Sequence, residues 1–411
     1  MKNNICGTKA LALLAIAFTF TFVSCNKEPE EIIDNTVITP PVSNLTLAET
    51  LDNNADDSLY YRLVVHGGQV PVISNDSSSY TLFVPNNNAM RVFINAISGG
   101  LVPINAPDAV FSGFITNNIP STTAGAIVGY NIIPQIVRAA QIPATFPNLQ
   151  YPTIINPAPS ISALLRLTTF PTTRNGAWVN NIPITAVDQE ALNGVIHHTA
   201  FLVTPPQRFL WDRINTDTDL EYLKAAIVRA DSGTTAPGFL VGVLNNIGAN
   251  LTVFAPTDAA FQGTLTLAIA QILINLGVPP ATALAQAQAL ASTPAIFSNP
   301  NLYPFLTAQT VKGIVVYHIL GKRAFTNNFP TTLTNYPTLL NGAVAAHPGL
   351  GIKATFGVPF VSATTVKGLG NPTAANIVIN ASPLIPDPNG SSDQHYLNGV
   401  IHKIDQVLLP Q

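Results

Sequence analysis

Hydrophobic residues fall into short blocks along the chain, and the same order of blocks occurs twice. Residues 81–84 and 252–254 are mostly aromatic, β-branched or aliphatic, which predicts two short buried strands. In each block a proline ends the strand and is followed by a residue that can cap a helix, Asn86 or Thr257. Apolar residues at helical spacing before each strand stop at glycine, as an amphipathic helix does. The pattern therefore predicts the same arrangement of helices and a strand in both halves.

A closing segment is identical in the two halves. Residues 192–197 and 397–402 both read Leu-Asn-Gly-Val-Ile-His. An Asn-Gly pair between apolar stretches predicts a tight hairpin turn in which the backbone takes positive φ, followed by a final strand. The histidine recurs at the same place, which favours a ring packed at the strand end over catalysis or metal binding. The predicted structural motif residues are Asn193, Gly194, His197, Asn398, Gly399 and His402.

Three segments of the second half carry a family resemblance. Residues 252–261, the Tyr-His-Ile-Leu-Gly segment at 317–321 and residues 398–410 resemble the fasciclin (FAS1) domain. The resemblance implies an α+β fold of two tandem domains, each a wedge of β-sheets with helices packed across it. It also implies a non-enzymatic role in adhesion or matrix binding.

The same resemblance marks two candidate binding residues. In fasciclin domains the Tyr-His segment is associated with receptor contact, so Tyr317 and His318 become the possible binding site. From the residues alone, a core tyrosine and a histidine that caps a helix explain the pair as well. Both interpretations are carried forward.

The N-terminus has the pattern of a signal peptide. Lys2 and Lys9 precede an apolar run at 10–23, which is shorter than the ~20 residues of a membrane-crossing helix. Ser24-Cys25 at its end resembles the lipobox of bacterial lipoproteins, in which the cysteine is acylated, for example with palmitate. The alternative is that Cys25 is a small apolar residue near an ordinary cleavage site.

These features divide the chain into four predicted segments. They are a lipoprotein signal peptide at 1–24, a flexible tether at 25–44, a first fasciclin-like domain at 45–206 and a second at 207–411. The tether assignment follows from its polar, acidic and proline-containing composition. The lipid would hold the protein at the cell envelope, in the outer membrane.

Composition and motifs exclude several classes of function. Only 9% of the residues are charged, the formal net charge is −3, and no basic run could neutralise a line of phosphates, so nucleic acid is not an expected partner. No hydrolase or nucleotide-binding motif is present. Apart from Cys6, which would leave with the signal peptide, the only cysteine is Cys25. We therefore predict no catalytic residue, no cofactor and no metal site, and a protein that is not an enzyme.

The function predicted from these features is adhesion or protein interaction by a lipid-anchored protein of the cell envelope. Its partner would be a cell-surface or matrix protein, or a glycan. The alternative is a glycan-binding accessory lipoprotein of an outer-membrane uptake system, which needs Trp178, Trp211 or clustered tyrosines exposed on one face. Residues 265–297 carry no charge and either bury two helix faces within their domain or offer a surface to a partner.

Overall fold

The computed structural model describes residues 43–234, 238–357, 361–380 and 392–411. The predicted signal peptide, Cys25 and nearly all of the predicted tether lie outside the described residues. Within the described part, no helix is long and apolar enough to cross a membrane.

The elements form two successive copies of one arrangement. The first copy comprises α1 (Leu47–Asn53), α2 (Ser58–His66), α3 (Val70–Ile73), β1 (Tyr80–Pro85), α4 (Asn87–Ile97), α5 (Asp108–Asn118), α6 (Ser121–Tyr130), β2 (Ile132–Ile133), β3 (Tyr151–Pro152), β4 (Thr168–Thr169), β5 (Pro171–Thr172), β6 (Trp178–Val179), β7 (Ile182–Ala191) and β8 (Gly194–Thr199). The second copy comprises α7 (Leu210–Thr216), α8 (Glu221–Ala230), α9 (Phe239–Leu244), β9 (Leu251–Pro256), α10 (Asp258–Asn275), α11 (Pro280–Leu290), α12 (Ala308–Tyr317), β10 (Ile319–Leu320), β11 (Thr334–Tyr336), β12 (Leu350–Phe356), β13 (Val361–Lys367), β14 (Ala375–Asn376), β15 (Gln394–Tyr396) and β16 (Gly399–Ile404).

The two copies share the topology of their main sheet. In the first copy the strand order is β2-β1-β8-β7-β6-β5, and in the second it is β10-β9-β16-β15. The last strand of each copy pairs in parallel with the predicted buried strand, Tyr80 opposite Gly194 and Leu251 opposite Gly399. It also pairs in antiparallel with the strand that precedes it, as the sequence predicts. The second copy adds an antiparallel sheet of order β11-β12-β13-β14.

The predicted strands and caps follow from local sequence. The side chain of Asn86 accepts the N–H of Ala89 at 2.9 Å and begins α4. That of Thr257 accepts the N–H of Ala260 at 3.3 Å and begins α10. Each cap satisfies one of the amides that the first turn of a helix leaves without a partner. Both predicted helix starts are confirmed.

The central strand of each copy is buried on both faces. In β1, Leu82 and Val84 pack into the helices, whereas Phe83 points to the other side of the sheet and joins a second hydrophobic cluster. In β9, Val253 and Phe254 divide in the same way. Side chains alternate between the faces of a strand, so burial on both faces requires a continuous apolar run. This is why the strands read as unbroken hydrophobic blocks in the sequence.

A polar joint connects the two copies. Asn327 Nδ2 donates to the carbonyl of Asn180 at 2.9 Å, and Asn328 Nδ2 donates to the carbonyl of Thr145 and the hydroxyl of Thr172, both at 3.0 Å. Both asparagine side chains are buried, so these bonds replace hydration that folding removes.

Aromatic side chains surround this polar joint. Phe170 of the first copy and Phe325 of the second lie with their ring centroids 5.8 Å apart, and with Val400 they form one small hydrophobic cluster. Phe146 contacts Phe329 edge to face at 6.1 Å. Each copy keeps its own core, and the joint adds a smaller shared cluster between them.

Candidate functional site

The asparagine of the repeated segment joins the first helix of its copy to the final hairpin. Asn193 Oδ1 accepts the first N–H of α1 at 2.8 Å, and its Nδ2 donates to the carbonyls of Ile73 and Asn75, each at 2.9 Å. Asn398 repeats the arrangement, accepting the first N–H of α7 at 3.0 Å and donating to the carbonyl of Leu244 at 2.8 Å. Both side chains are buried, and their bonds go to the protein's own backbone.

The glycine of the segment is required by a close approach between strands. A Cβ on Gly194 would lie 2.1 Å from the carbonyl oxygen of Tyr80, and one on Gly399 would lie 2.5 Å from that of Leu251. Neither glycine has positive φ, and neither does the asparagine before it. The prediction of a positive-φ turn at Asn-Gly is therefore wrong. The carbonyl that excludes a side chain belongs to a strand more than a hundred residues away, which local turn rules do not include.

The two histidines are bonded to backbone through both ring nitrogens. His197 Nε2 lies 2.8 Å from the carbonyl oxygen of Val137, and its Nδ1 accepts the N–H of Asp188 at 3.3 Å. His402 Nε2 lies 2.9 Å from a carbonyl oxygen, and its Nδ1 accepts the N–H of Asp393 at 3.1 Å. Because Nδ1 accepts, the proton is on Nε2 and the ring is neutral. Burial lowers the pKa of both histidines.

Two aspartates belong to the motif but were not predicted from the sequence. Asp188 and Asp393 both have positive φ, 57° and 59°, and each presents its N–H to the histidine of its copy. Their carboxylates hold backbone amides of Ala139 and Thr326, at 2.9 and 2.7 Å. A signal was available, because an Asp-Gln pair stands at the same distance before the repeated segment in both halves.

Residues 56–200 match the sequence model of the fasciclin domain family. This stretch is a fasciclin domain. The chain as a whole has an α+β fold with two tandem fasciclin-like domains, which correspond to the two copies. The boundary between residues 206 and 207 stays a prediction. Fasciclin domains are generally non-enzymatic modules of adhesion and protein interaction.

Among solved structures the chain is similar to a FAS1 domain pair from the insect cell adhesion molecule fasciclin I. The two are 13% identical, with a TM-score of 0.31, and the match covers 85% of this chain and 95% of that one. No curated protein sequence matches the chain.

The tyrosine of the fasciclin Tyr-His segment lies in the core of the second copy. Tyr317 is fully buried, its hydroxyl donates to the carbonyl of Gly349 at 2.8 Å, and the same oxygen accepts the N–H of Leu369 at 3.0 Å. This placement matches the second interpretation of the sequence, in which Tyr317 is a core residue. A receptor role for Tyr317 stays a prediction, and it requires the core to open.

The neighbouring histidine is buried at the end of α12. His318 Nε2 accepts the N–H of Leu408 at 2.9 Å, so Nδ1 carries the proton and donates to the carbonyl of Ile314 at 2.8 Å. Burial lowers the pKa of His318 to about 4. The ring is therefore neutral near pH 7 and has no free nitrogen, which matches the helix-capping alternative. Its receptor contact likewise stays a prediction.

Neither tryptophan offers an exposed platform for a sugar ring. Trp178 is buried in β6, and its indole N–H donates to the carbonyl of Asn175 at 3.1 Å. Trp211 is half-buried and packs against the core of the second copy. The glycan alternative needs tryptophans or clustered tyrosines exposed on one face, and the two tryptophans do not supply that platform. The alternative stays a prediction. The described residues also contain no cluster of His, Cys, Asp or Glu able to hold a metal ion.

The charge-free stretch of the second fasciclin-like domain buries one side and exposes the other. Helix α10 places Phe261, Leu265 and Ile269 in the core, whereas α11 buries little more than alanines. The two helices pack against each other. Five large aliphatic residues on them and on the turn between them remain exposed, and we term these the uncharged face: Leu267, Ile274, Leu276, Leu284 and Leu290. The stretch thus buries one face and not two, and a partner at its exposed face stays a prediction.

Proposed function

We propose that this protein is a lipid-anchored adhesion or protein-interaction protein of the cell envelope, which binds its partner through the uncharged face. The observation that carries the proposal is the exposure of leucines along a stretch of the chain that contains no charged residue. Leu267 and Leu276 are each 70% exposed, and no Asp, Glu, Lys or Arg occurs from residue 259 to 311. Exposed apolar surface of this kind marks interaction sites in soluble domains.

The chemistry of the uncharged face selects the type of partner. A charged partner surface would lose hydration on docking and gain no counter-charge in return. An apolar protein surface of low charge would bury leucine side chains at about 25 cal/mol per Å². We therefore propose a protein partner and not a polyanion or a charged polysaccharide.

Replacing leucines of the uncharged face by lysine should weaken partner binding. We expect the double variant Leu267→Lys, Leu276→Lys to lose about tenfold or more in affinity, since a desolvated apolar anchor contributes about 2 kcal/mol. The matched control is Leu101→Lys, Leu164→Lys, which changes leucines that are 86% and 88% exposed in the first fasciclin domain. Adhesion of cells displaying each variant, and binding of the purified chain to partner-bearing cells, measure the effect.

The control comparison distinguishes a specific binding surface from nonspecific hydrophobic binding. Both double variants should unfold at the temperature of the unchanged protein, because all four side chains face solvent. Equal loss of adhesion in the two double variants, or no loss in either, would contradict the proposal.

Membrane attachment is proposed through the thiol of Cys25. Cells fed labelled palmitate should label the unchanged protein and leave Cys25→Ala unlabelled, because acylation requires the thiol. Protease treatment of intact cells should remove the labelled protein if it is displayed on the outer membrane. An unlabelled wild-type chain would exclude the anchor, and a labelled chain that resists protease until the cells are opened would exclude surface display.

A further inference from the structure

A cavity of about 370 Å³ lies where both fasciclin-like domains and the segment at 202–208 meet. This volume is in the range of small-molecule sites in proteins. One wall consists of apolar side chains of the first copy and the connecting segment: Phe93, Ile97, Ile119, Ile127, Ile182 and Leu202. The second copy contributes polar groups from β15 and the residue before it, among them Asp393 and His395. The cavity thus has an apolar side and a polar end.

His395 offers an unused hydrogen-bond donor at the polar end. Its Nε2 lies 2.7 Å from Nη1 of Arg323, and a guanidinium can only donate. Nε2 therefore accepts, and the proton of the neutral ring is on Nδ1. Among the described residues no group accepts this proton, and the Nδ1 atom is accessible to solvent. His395 itself lines the cavity.

Behind His395 lies a buried cation without a carboxylate partner. Arg323 is 4% exposed, and burial lowers its pKa only to about 10, so it stays charged near neutral pH. Its guanidinium donates to His395 and to the carbonyl of Leu397 at 3.1 Å, and it lies 4.9 Å from the ring centre of Phe170. Its Nε has no partner, and no described Asp or Glu pairs with it. An uncompensated buried charge is costly, and a bound anion would offset part of that cost.

The carboxylate of Asp393 does not balance the buried charge of Arg323. Both of its carboxylate oxygens accept from Thr326, one from the backbone N–H and the other from the hydroxyl. The cation of Arg323, and not Asp393, is the charge that acts together with burial to lower the pKa of His395. The donor at Nδ1 is therefore polarised by a positive charge one hydrogen bond away.

We propose that this interdomain cavity binds an amphiphilic carboxylate, a molecule with an apolar chain ending in a carboxylate. The carboxylate accepts Nδ1–H of His395 and is stabilised by the charge of Arg323 behind it. The chain lies against the apolar wall. This site is separate from the uncharged face, so it goes beyond the proposed adhesive function and does not depend on it.

Calorimetric titration of the full chain with decanoate and with decanol tests the proposal. Decanoate should bind about tenfold or more tightly than decanol, because only the carboxylate gains a charge-assisted bond. His395→Leu should remove this preference, whereas His395→Gln, which can accept from Arg323 and donate to the ligand, should retain it. Ile97→Trp, which fills the cavity from a half-exposed position, should abolish binding of both compounds. Ile104→Trp, equally exposed but outside the cavity, is the control.

The outcomes separate this site from others on the molecule. Equal affinity for decanoate and decanol, or no binding of either, overturns the proposal. Binding that survives Ile97→Trp but is lost in Leu267→Lys, Leu276→Lys places the ligand on the uncharged face and overturns it too. The Ile97 variant keeps the test decisive if His395→Leu fails to fold.

Discussion

Gly194→Ala is expected to lower the free energy of unfolding by about 3 to 5 kcal/mol. The new methyl group would lie 2.1 Å from the carbonyl oxygen of Tyr80 and 2.9 Å from a methyl carbon of Leu47. The first of these atoms is backbone in the paired strand, so relief requires β1 and β8 to separate. Both strands are central in their sheet, and the helices packed on them would move as well. Denaturant unfolding followed by circular dichroism measures the loss.

A glycine in open space provides the matched control. Gly263 lies on the exposed side of α10, and a Cβ there meets no atom within 4 Å. Gly263→Ala should raise the free energy of unfolding by roughly 0.5 to 1 kcal/mol, because alanine loses less backbone entropy in a helix. If Gly194→Ala were no more harmful than Gly263→Ala, the close approach of the strands would not be the reason for the repeated glycine.

Acid is expected to destabilise the protein well above the pH at which most carboxylates titrate. The folded pKa of His318 is about 4, against an ordinary value near 6.5, so the unfolded chain takes up the proton first as the pH falls. The stabilisation is complete above pH ~6.5 and is lost as the pH falls towards ~4, at a cost of about 3 kcal/mol. Burial lowers the pKa of His197, His395 and His402 in the same direction and adds to the loss.

Some carboxyl groups oppose this trend. Burial raises the pKa of Asp57 and Asp258, so their protonation favours the folded state at low pH. The contribution of His318 therefore needs a variant to isolate it. The difference in unfolding free energy between pH 7 and pH 4 should be about 3 kcal/mol smaller in His318→Gln than in the unchanged protein. An unchanged difference would show that His318 is not held neutral by the fold.

A nearby substitution without a titratable group controls for general weakening. Val315→Ala, in the same helix, removes buried methyl groups and should lower stability by a similar amount at both pH values. Its pH dependence should match that of the unchanged protein.

Much of the fold could be predicted because its signals are local and occur twice. The strand at 81–84, the caps Asn86 and Thr257, and the final strand after Asn-Gly depend on residues within a few positions of one another. The repeat then placed the same elements in the second half. The reason for Gly194 could not be predicted in this way, because the excluding atom of Tyr80 meets it only through the parallel pairing of distant strands.

The candidate sites likewise combine features that are visible in the sequence with features that only the structure shows. The lack of charge from 259 to 311 is visible in the sequence, but only packing decided that Leu265 is buried and Leu267 exposed. Asp393 had a signal in the repeat, but its bond to His402 requires a positive φ that sequence alone does not indicate. The contact between Arg323 and His395 joins residues 72 positions apart and follows no local pattern, so only the structure shows it.

The sequence by itself determined the duplication, because comparison of the chain with itself shows it, and the resemblance to the fasciclin domain implied the α+β class. The lipid anchor at the N-terminus stays a prediction. Only the tertiary structure decided how the two copies meet. Asn327 and Asn328 hold the joint, and the cavity beside it takes its walls from both copies. The physical reason is that hydrogen bonds and burial between residues far apart in the chain depend on the final geometry of both domains. No spacing along the sequence encodes such a distance.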